Sequence, residues 1–176
     1  MIQENSDEVS FSVTGRLAIR ELIDGAWVLR QEQQNLVVDL AFDELFPQIF
    51  GRASGAQVGI ISIGTGGDYN AAVVHQAQRV APAVSDTQMR IELFRAGIVQ
   101  TNFPAVNEVE FVGLMREGEA VSTGIDEFGL LSLDGRMISH SINPESGGAG
   151  TPTVKYTKPL GAIFSVSWTL TIERCP

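Results

Sequence analysis

Few residues in this chain have types and spacing that suit chemistry. The first candidate is the glycine segment Gly64-Thr65-Gly66-Gly67, which follows the apolar run Val58 to Ile63. A glycine loop after a strand can cradle phosphate with backbone N–H groups. The Walker pattern, however, needs Lys and Ser/Thr after the last glycine, and here Asp68 and Tyr69 follow. A dinucleotide loop needs a third glycine and an immediate helix start, and Asp68 would repel a phosphate. The segment reads as a structural turn.

His75 and His140 are the only histidines, too few for a metal site built on imidazoles. His140 lies in Ser139-His140-Ser141, downstream of Asp126 and Glu127, which suggests a serine–histidine–carboxylate set. No Gly-x-Ser-x-Gly elbow accompanies it, and in a strand the two serines face away from the histidine. A surface or interface histidine is expected. Asp126 and Glu127 could act as paired carboxylates, but adjacent acids on a loop are expected to be solvated. They also lack the spacing of a calcium loop. Cys175 is the single cysteine, so no internal disulfide is possible. No catalytic, cofactor-binding or metal-ligating residue is assigned.

The elements that would position these groups are strands. From Phe164 to Ile172, Phe164, Val166, Trp168, Leu170 and Ile172 alternate with Ser165, Ser167, Thr169 and Thr171. That period of two predicts a strand inside a sheet, with an apolar face and a hydroxyl face that is solvent-exposed or subunit-facing. Earlier strands are predicted over Val9–Leu22, with a bulge at Gly15, and over Ala26–Val38, joined by the tight turn Asp24-Gly25. Further strands follow at Gln57–Ile63, Met89–Gln100, Glu108–Arg116, Phe128–Leu133, Met137–Ile142 and Thr153–Tyr156. Asp134-Gly135 makes a second hairpin turn. Glu117–Asp126 reads as loop, and Asn143–Pro152 as a flexible loop. Phe42, Leu45, Phe46 and Ile49 have helical spacing, which predicts one short helix from about Leu40 that stops near Pro47.

Helices do not alternate with strands, which argues against a parallel α/β sheet. The expected fold is all-β, an antiparallel, jelly-roll-like β-sandwich with one short helix over residues 9–176. Residues 1–8 are polar and unpatterned and are expected to form a flexible N-terminal arm. That acidic start is unlike a secretory signal, so the mature chain is expected to begin near Met1. No apolar run is long enough for a membrane span. The net charge of -9 argues against direct contact with nucleic acid or anionic lipid, although Arg16, Arg20 and Arg30 lie close enough to form a local patch.

Three stretches stand out together: Gln34-Asn35-Leu36-Val37-Val38; Ile63-Gly64-Thr65-Gly66 with Ser85-Asp86-Thr87; and Ile125-Asp126-Glu127-Phe128-Gly129-Leu130 followed by Leu133-Asp134-Gly135-Arg136-Met137, Lys158-Pro159 and Ser167-Trp168-Thr169-Leu170. In this order they resemble small virion structural proteins of tailed bacteriophages. The resemblance covers roughly residues 30–173. It implies a non-enzymatic structural component of a tailed-phage virion, without catalytic residues or cofactors. Such a component would be a tail, collar or baseplate protein that forms or anchors a fibre or spike. It would be assembled in the host cytoplasm with other virion structural proteins, as a homo-oligomer with a trimer favoured. A head decoration (capsid cement) protein and a carbohydrate-binding β-sandwich module are the alternatives.

Overall fold

A computed structural model describes residues 11–39, 41, 57–68, 79–147 and 149–174. The described elements are ten strands: β1 (Phe11–Ile23), β2 (Ala26–Val37), β3 (Val58–Gly64), β4 (Glu92–Asn102), β5 (Glu108–Met115), β6 (Ser122–Ile125), β7 (Glu127–Ser132), β8 (Met137–Ile142), β9 (Tyr156–Lys158) and β10 (Phe164–Arg174). Eight of them close into an antiparallel barrel in the order β1-β10-β5-β4-β3-β7-β8-β2, while β6 and β9 form a separate two-stranded sheet. No helix among the described residues is long and apolar enough to cross a membrane. The helix expected from Leu40 to Pro47, the arm at residues 1–8, His75 and Cys175 all lie outside the described residues, apart from Ala41 within the helix range.

The all-β, antiparallel expectation holds, but the sandwich is replaced by a closed barrel. The difference comes from two strands that change partners along their length. β4 pairs with β3 from Glu92 to Gly97 and with β5 from Ile98 onward, with a register shift beside Ile98. β2 pairs with β1 from Ala26 to Asn35, then with β8 through Leu36 and Val37. Each strand thus turns a corner between two half-sheets, and the register shift in β4 supplies the bend there.

β10 sits between β1 and β5, as its alternation predicts. Its apolar side chains fill the barrel with Leu17, Ile19, Ile61, Ile63, Phe128 and Ile138, and Trp168 is wholly buried. Eight strands enclose a space that side chains can fill. The hydroxyl face differs from expectation: Ser165, Ser167 and Thr169 are buried within the chain. Ser165 and Thr169 lie between longer neighbours, Arg20 and Leu114 for the one and Arg16 and Glu110 for the other, and the Arg20 guanidinium donates to Ser167 Oγ at 2.7 Å.

Both Asp-Gly turns form where expected. Asp24 (φ 50°) and Gly25 (φ 79°) take the left-handed backbone of a two-residue hairpin, whereas the longer turn between β7 and β8 has a single left-handed residue, Gly135 (φ 88°). Gly15 marks no register shift; the irregularity in the β1–β2 ladder falls at Ile19/Arg20. A Cβ at Gly15 would overlap the Asn35 side chain, so the glycine answers to close approach. β6 falls in the stretch read as loop. β9 begins at Tyr156, later than predicted, while Thr153 makes only an isolated bridge with Glu145.

Candidate functional site

The titratable groups singled out in the sequence come together on the outside of the barrel, over β3, β7 and β8. His140 is paired with Gly129 on β7, and a one-residue shift in this ladder sets which way it faces. Leu130 pairs with Ser139 but Leu131 pairs with Met137, leaving Ile138 as an extra residue. Ile138 therefore packs in the barrel interior with Leu130, while Met137 packs with Leu131, Met89 and Val38 in a second apolar cluster. Strict alternation would place His140 inside with Ile138; the extra residue turns it outward.

His140 is not a surface residue: it is fully buried. Its Nδ1 lies 2.6 Å from Asp86 Oδ2 and its Nε2 lies 3.0 Å from Glu127 Oε1. A carboxyl oxygen therefore occupies each ring nitrogen. Neither nitrogen is then left for a substrate proton or a metal. Ser139 and Ser141 point elsewhere, as predicted: Ser139 Oγ donates to the Leu36 carbonyl at 2.6 Å, and Ser141 Oγ accepts from Gln33 Nε2 at 2.6 Å.

Asp126 and Glu127 are also fully buried, against the expectation of solvated loop acids. Glu127 Oε2 accepts the N–H of Gly66 and of Ile91, each at 3.1 Å, and Oε1 accepts the N–H of Arg90 at 2.7 Å. Asp126 accepts the N–H of Gly67 at 2.8 Å, the Thr153 hydroxyl at 2.6 Å and the Lys155 ammonium at 2.9 Å. Lys155 also meets Asp68 at 3.0 Å, and Asp68 accepts the Thr153 N–H at 2.9 Å.

The glycine segment is indeed a turn, and its N–H groups do hold anions, but the anions belong to the chain. A Cβ on Gly64 or Gly66 would collide with Glu127 Oε2, and one on Gly67 would lie 2.7 Å from Asp126 Cγ. The same network ties down the surrounding loops. Arg90 donates to the carbonyls of Val80 and Ala81, and Arg79 to those of Ile142 and Asn143. Asn143 Nδ2 reaches the Val154 carbonyl at 2.7 Å. Chemically the arrangement clamps three chain segments onto the barrel wall.

Burial works against the charge on Glu127. The hydrogen bonds from His140 and from the Arg90 and Ile91 amides outweigh it and hold the carboxyl below the usual carboxylate range. For Lys155 burial again opposes the charge, and Asp126 and Asp68 outweigh it, placing the ammonium above the ordinary lysine range. A lowered carboxyl contributes stability that is full above its unfolded value, about 4.3, and is lost as pH falls through the folded one. A raised lysine contributes stability that is full below about 10.4 and is lost as pH rises through the folded value. Melting temperature plotted against pH should therefore show a plateau bounded by these ranges. The acid limb should flatten in Glu127→Gln and the alkaline limb in Lys155→Met. An unchanged acid limb in Glu127→Gln would remove Glu127 from the account.

The remaining sequence candidates are dispersed. Arg16 pairs with Glu32 at 3.0 Å, Arg30 with Glu21 at 2.6 Å, and Arg20 bonds Ser167, so each of the three arginines is engaged locally. A cleft of about 370 Å³ opens beside the β4–β5 connection, lined by Phe103, Val106, Val109, Leu170 and Ile172, with Glu108 as its one carboxylate. The roles of Asp68, Asp86, Arg79, Arg90 and Lys155 in the network are not signalled by the sequence pattern. Asp86 and Lys155 reach the network from loops, where no periodicity reports what a side chain faces. Comparison with protein-family models, curated proteins and solved structures finds no match.

Proposed function

We propose that the chain is a non-enzymatic structural component of a tailed-phage virion, in the tail, collar or baseplate, where it forms or anchors a fibre or spike and assembles as a homo-oligomer with other virion proteins. The resemblance stated from the sequence is the starting point. The observation that carries the reading is where its residues lie. Gly64-Thr65-Gly66, Ser85-Asp86-Thr87 and Asp126-Glu127 all contribute to the buried ionic network. Residues used in this way build a rigid body. An assembly protein needs such a body, with function carried on its surfaces.

Immunogold labelling of particles, with antibody raised against the purified chain, tests this. Label along the tail or at its ends is expected. Label over the head would move the reading to decoration, and unlabelled particles would refute it. The carbohydrate-binding alternative would rest on Trp27, which is 45% exposed at the end of the β1–β2 hairpin. It requires glycan-array binding that Trp27→Ala abolishes.

A further inference from the structure

Among the described residues, the first strand pair leaves an unusual edge open. From Ala26 to Asn35, β2 pairs with β1 alone; no described strand pairs with its other edge until Leu36 meets His140. Part of that edge is shielded. Gln31 Nε2 reaches Asn143 Oδ1 at 3.1 Å, Gln33 reaches Ser141, and the Tyr156 hydroxyl lies 3.5 Å from the Arg30 carbonyl. Above these contacts sit Trp27, Val28 and Leu29, which are 45%, 38% and 50% exposed. Exposed edges are ordinarily blunted by charge, proline or a short length. Here three consecutive apolar residues occupy the edge, with no charged residue among them.

The hairpin pattern sets which backbone groups point away from β1. Asp24-Gly25 forms a two-residue turn closed by the Ile23–Ala26 pair. In such a hairpin the closing pair exchanges hydrogen bonds, and so does every second pair beyond it. Val28 therefore bonds toward β1 opposite Glu21, while Trp27 and Leu29 turn their N–H and C=O groups to the open side.

We propose that this edge joins two copies of the chain, β2 against β2 and antiparallel, about a two-fold axis midway between the two Val28 residues. In that register Trp27 of one copy faces Leu29 of the other, Val28 faces Val28, and Leu29 faces Trp27. The residues with outward backbone groups are then directly opposite one another and form two hydrogen-bonded pairs around a non-bonded central pair. Every cross-strand contact in the triplet is apolar. This self-complementarity favours a second copy over an unrelated strand. The contact is isologous, so it closes after two chains and leaves neither edge open. The inference rests on the self-assembly in the reading above and names its surface.

Light scattering on the full chain over a range of concentrations should give twice the 19.0 kDa chain mass, or an even multiple of it. Trp27→Lys with Leu29→Lys should halve that mass. Leu29→Pro should do the same, because the lost N–H faces outward and the hairpin bonds survive. Trp27→Thr with Leu29→Thr keeps strand-forming residues and should also halve it. Far-UV circular dichroism identifies any variant that has failed to fold. A positive probe does not depend on weakening anything. Val28→Cys in a Cys175→Ser background should give a covalent dimer on mild oxidation, because the central pair brings the two Cβ atoms within about 5 Å. Val121→Cys, exposed elsewhere, should not. A wild-type chain that stays at single mass, folded variants that keep the wild-type mass, or a Val28→Cys chain that does not cross-link would each overturn the proposal. If folded variants keep a multimeric mass and particles are still labelled, the edge is refuted and the virion reading stands. If the edge cross-links but particles are unlabelled, the virion reading falls and the pairing stands.

Discussion

Glu127→Gln should destabilise the fold by about 3–5 kcal/mol, the range for removing one partner from a buried charged network. The carboxylate receives three backbone N–H groups and the His140 ring, so an amide cannot replace it. Whichever way the amide is turned, its NH2 group faces donors: Gly66 and Ile91 at one oxygen position, Arg90 and His140 at the other. Those groups are buried or nearly so, and an unmatched buried donor carries its full desolvation cost. For a chain of this size the melting temperature should fall by on the order of 10 °C. Amide hydrogen exchange gives a more local readout. The Gly66, Arg90 and Ile91 amides should lose protection first, while those of β10 keep theirs. Equal loss across the barrel would mean that the carboxylate supports the whole fold rather than the loops it holds.

Gly66→Ala should be comparably damaging for a steric reason. The added Cβ would overlap Glu127 Oε2 and lie 2.7 Å from Arg90 Cβ and 2.8 Å from the Ile91 backbone nitrogen. The last of these is main chain, so relief requires the turn or the segment beside Arg90 to move. Either movement breaks hydrogen bonds to Glu127. Overpacking of this kind costs about 1–3 kcal/mol before the lost hydrogen bonds are added. Gly97→Ala is an internal control. It sits on β4, and a Cβ there would meet nothing within 4 Å. It should be neutral or stabilising by up to about 1 kcal/mol, since alanine restricts the unfolded chain. Chemical denaturation of both variants checks the pair. Equal losses would show that the glycine turn is sensitive for reasons other than its contact with the carboxylate.

The barrel's strands were largely readable from local pattern. Alternation from Phe164 to Ile172 reports a strand because a period of two sets Phe164, Val166, Trp168 and Leu170 on one face, which then fills the barrel. Asp24-Gly25 reports a hairpin because few other residue pairs accept two left-handed positions in a row, and Asp134-Gly135 does so because glycine readily takes the one left-handed position there. Where the reading missed, the signal was weak or not local. β6 is four residues long, too short for a period to show. The hydroxyls of Ser165, Ser167 and Thr169 are buried because of what stands on β1 and β5, and β10's own sequence does not contain that information. Adjacent acids such as Asp126 and Glu127 are usually solvated; here the Gly66–Gly67 turn and the Arg90 segment bring N–H groups to them from far along the chain.

Local pattern along the chain therefore specifies an antiparallel all-β protein, its main strands and its two Asp-Gly turns, because the period of two and the turn residues act over a few neighbours. Only the tertiary structure decided that the sheets close. Closure depends on β2 and β4 each changing partner part-way along, and a register shift of one residue leaves little trace in composition. It also decided that His140 faces outward, since the one extra residue at Ile138 reverses the faces after it. Burial of the acids followed from the same cause: a charge can be kept from water only where distant segments supply enough donors, and folding brings those segments together.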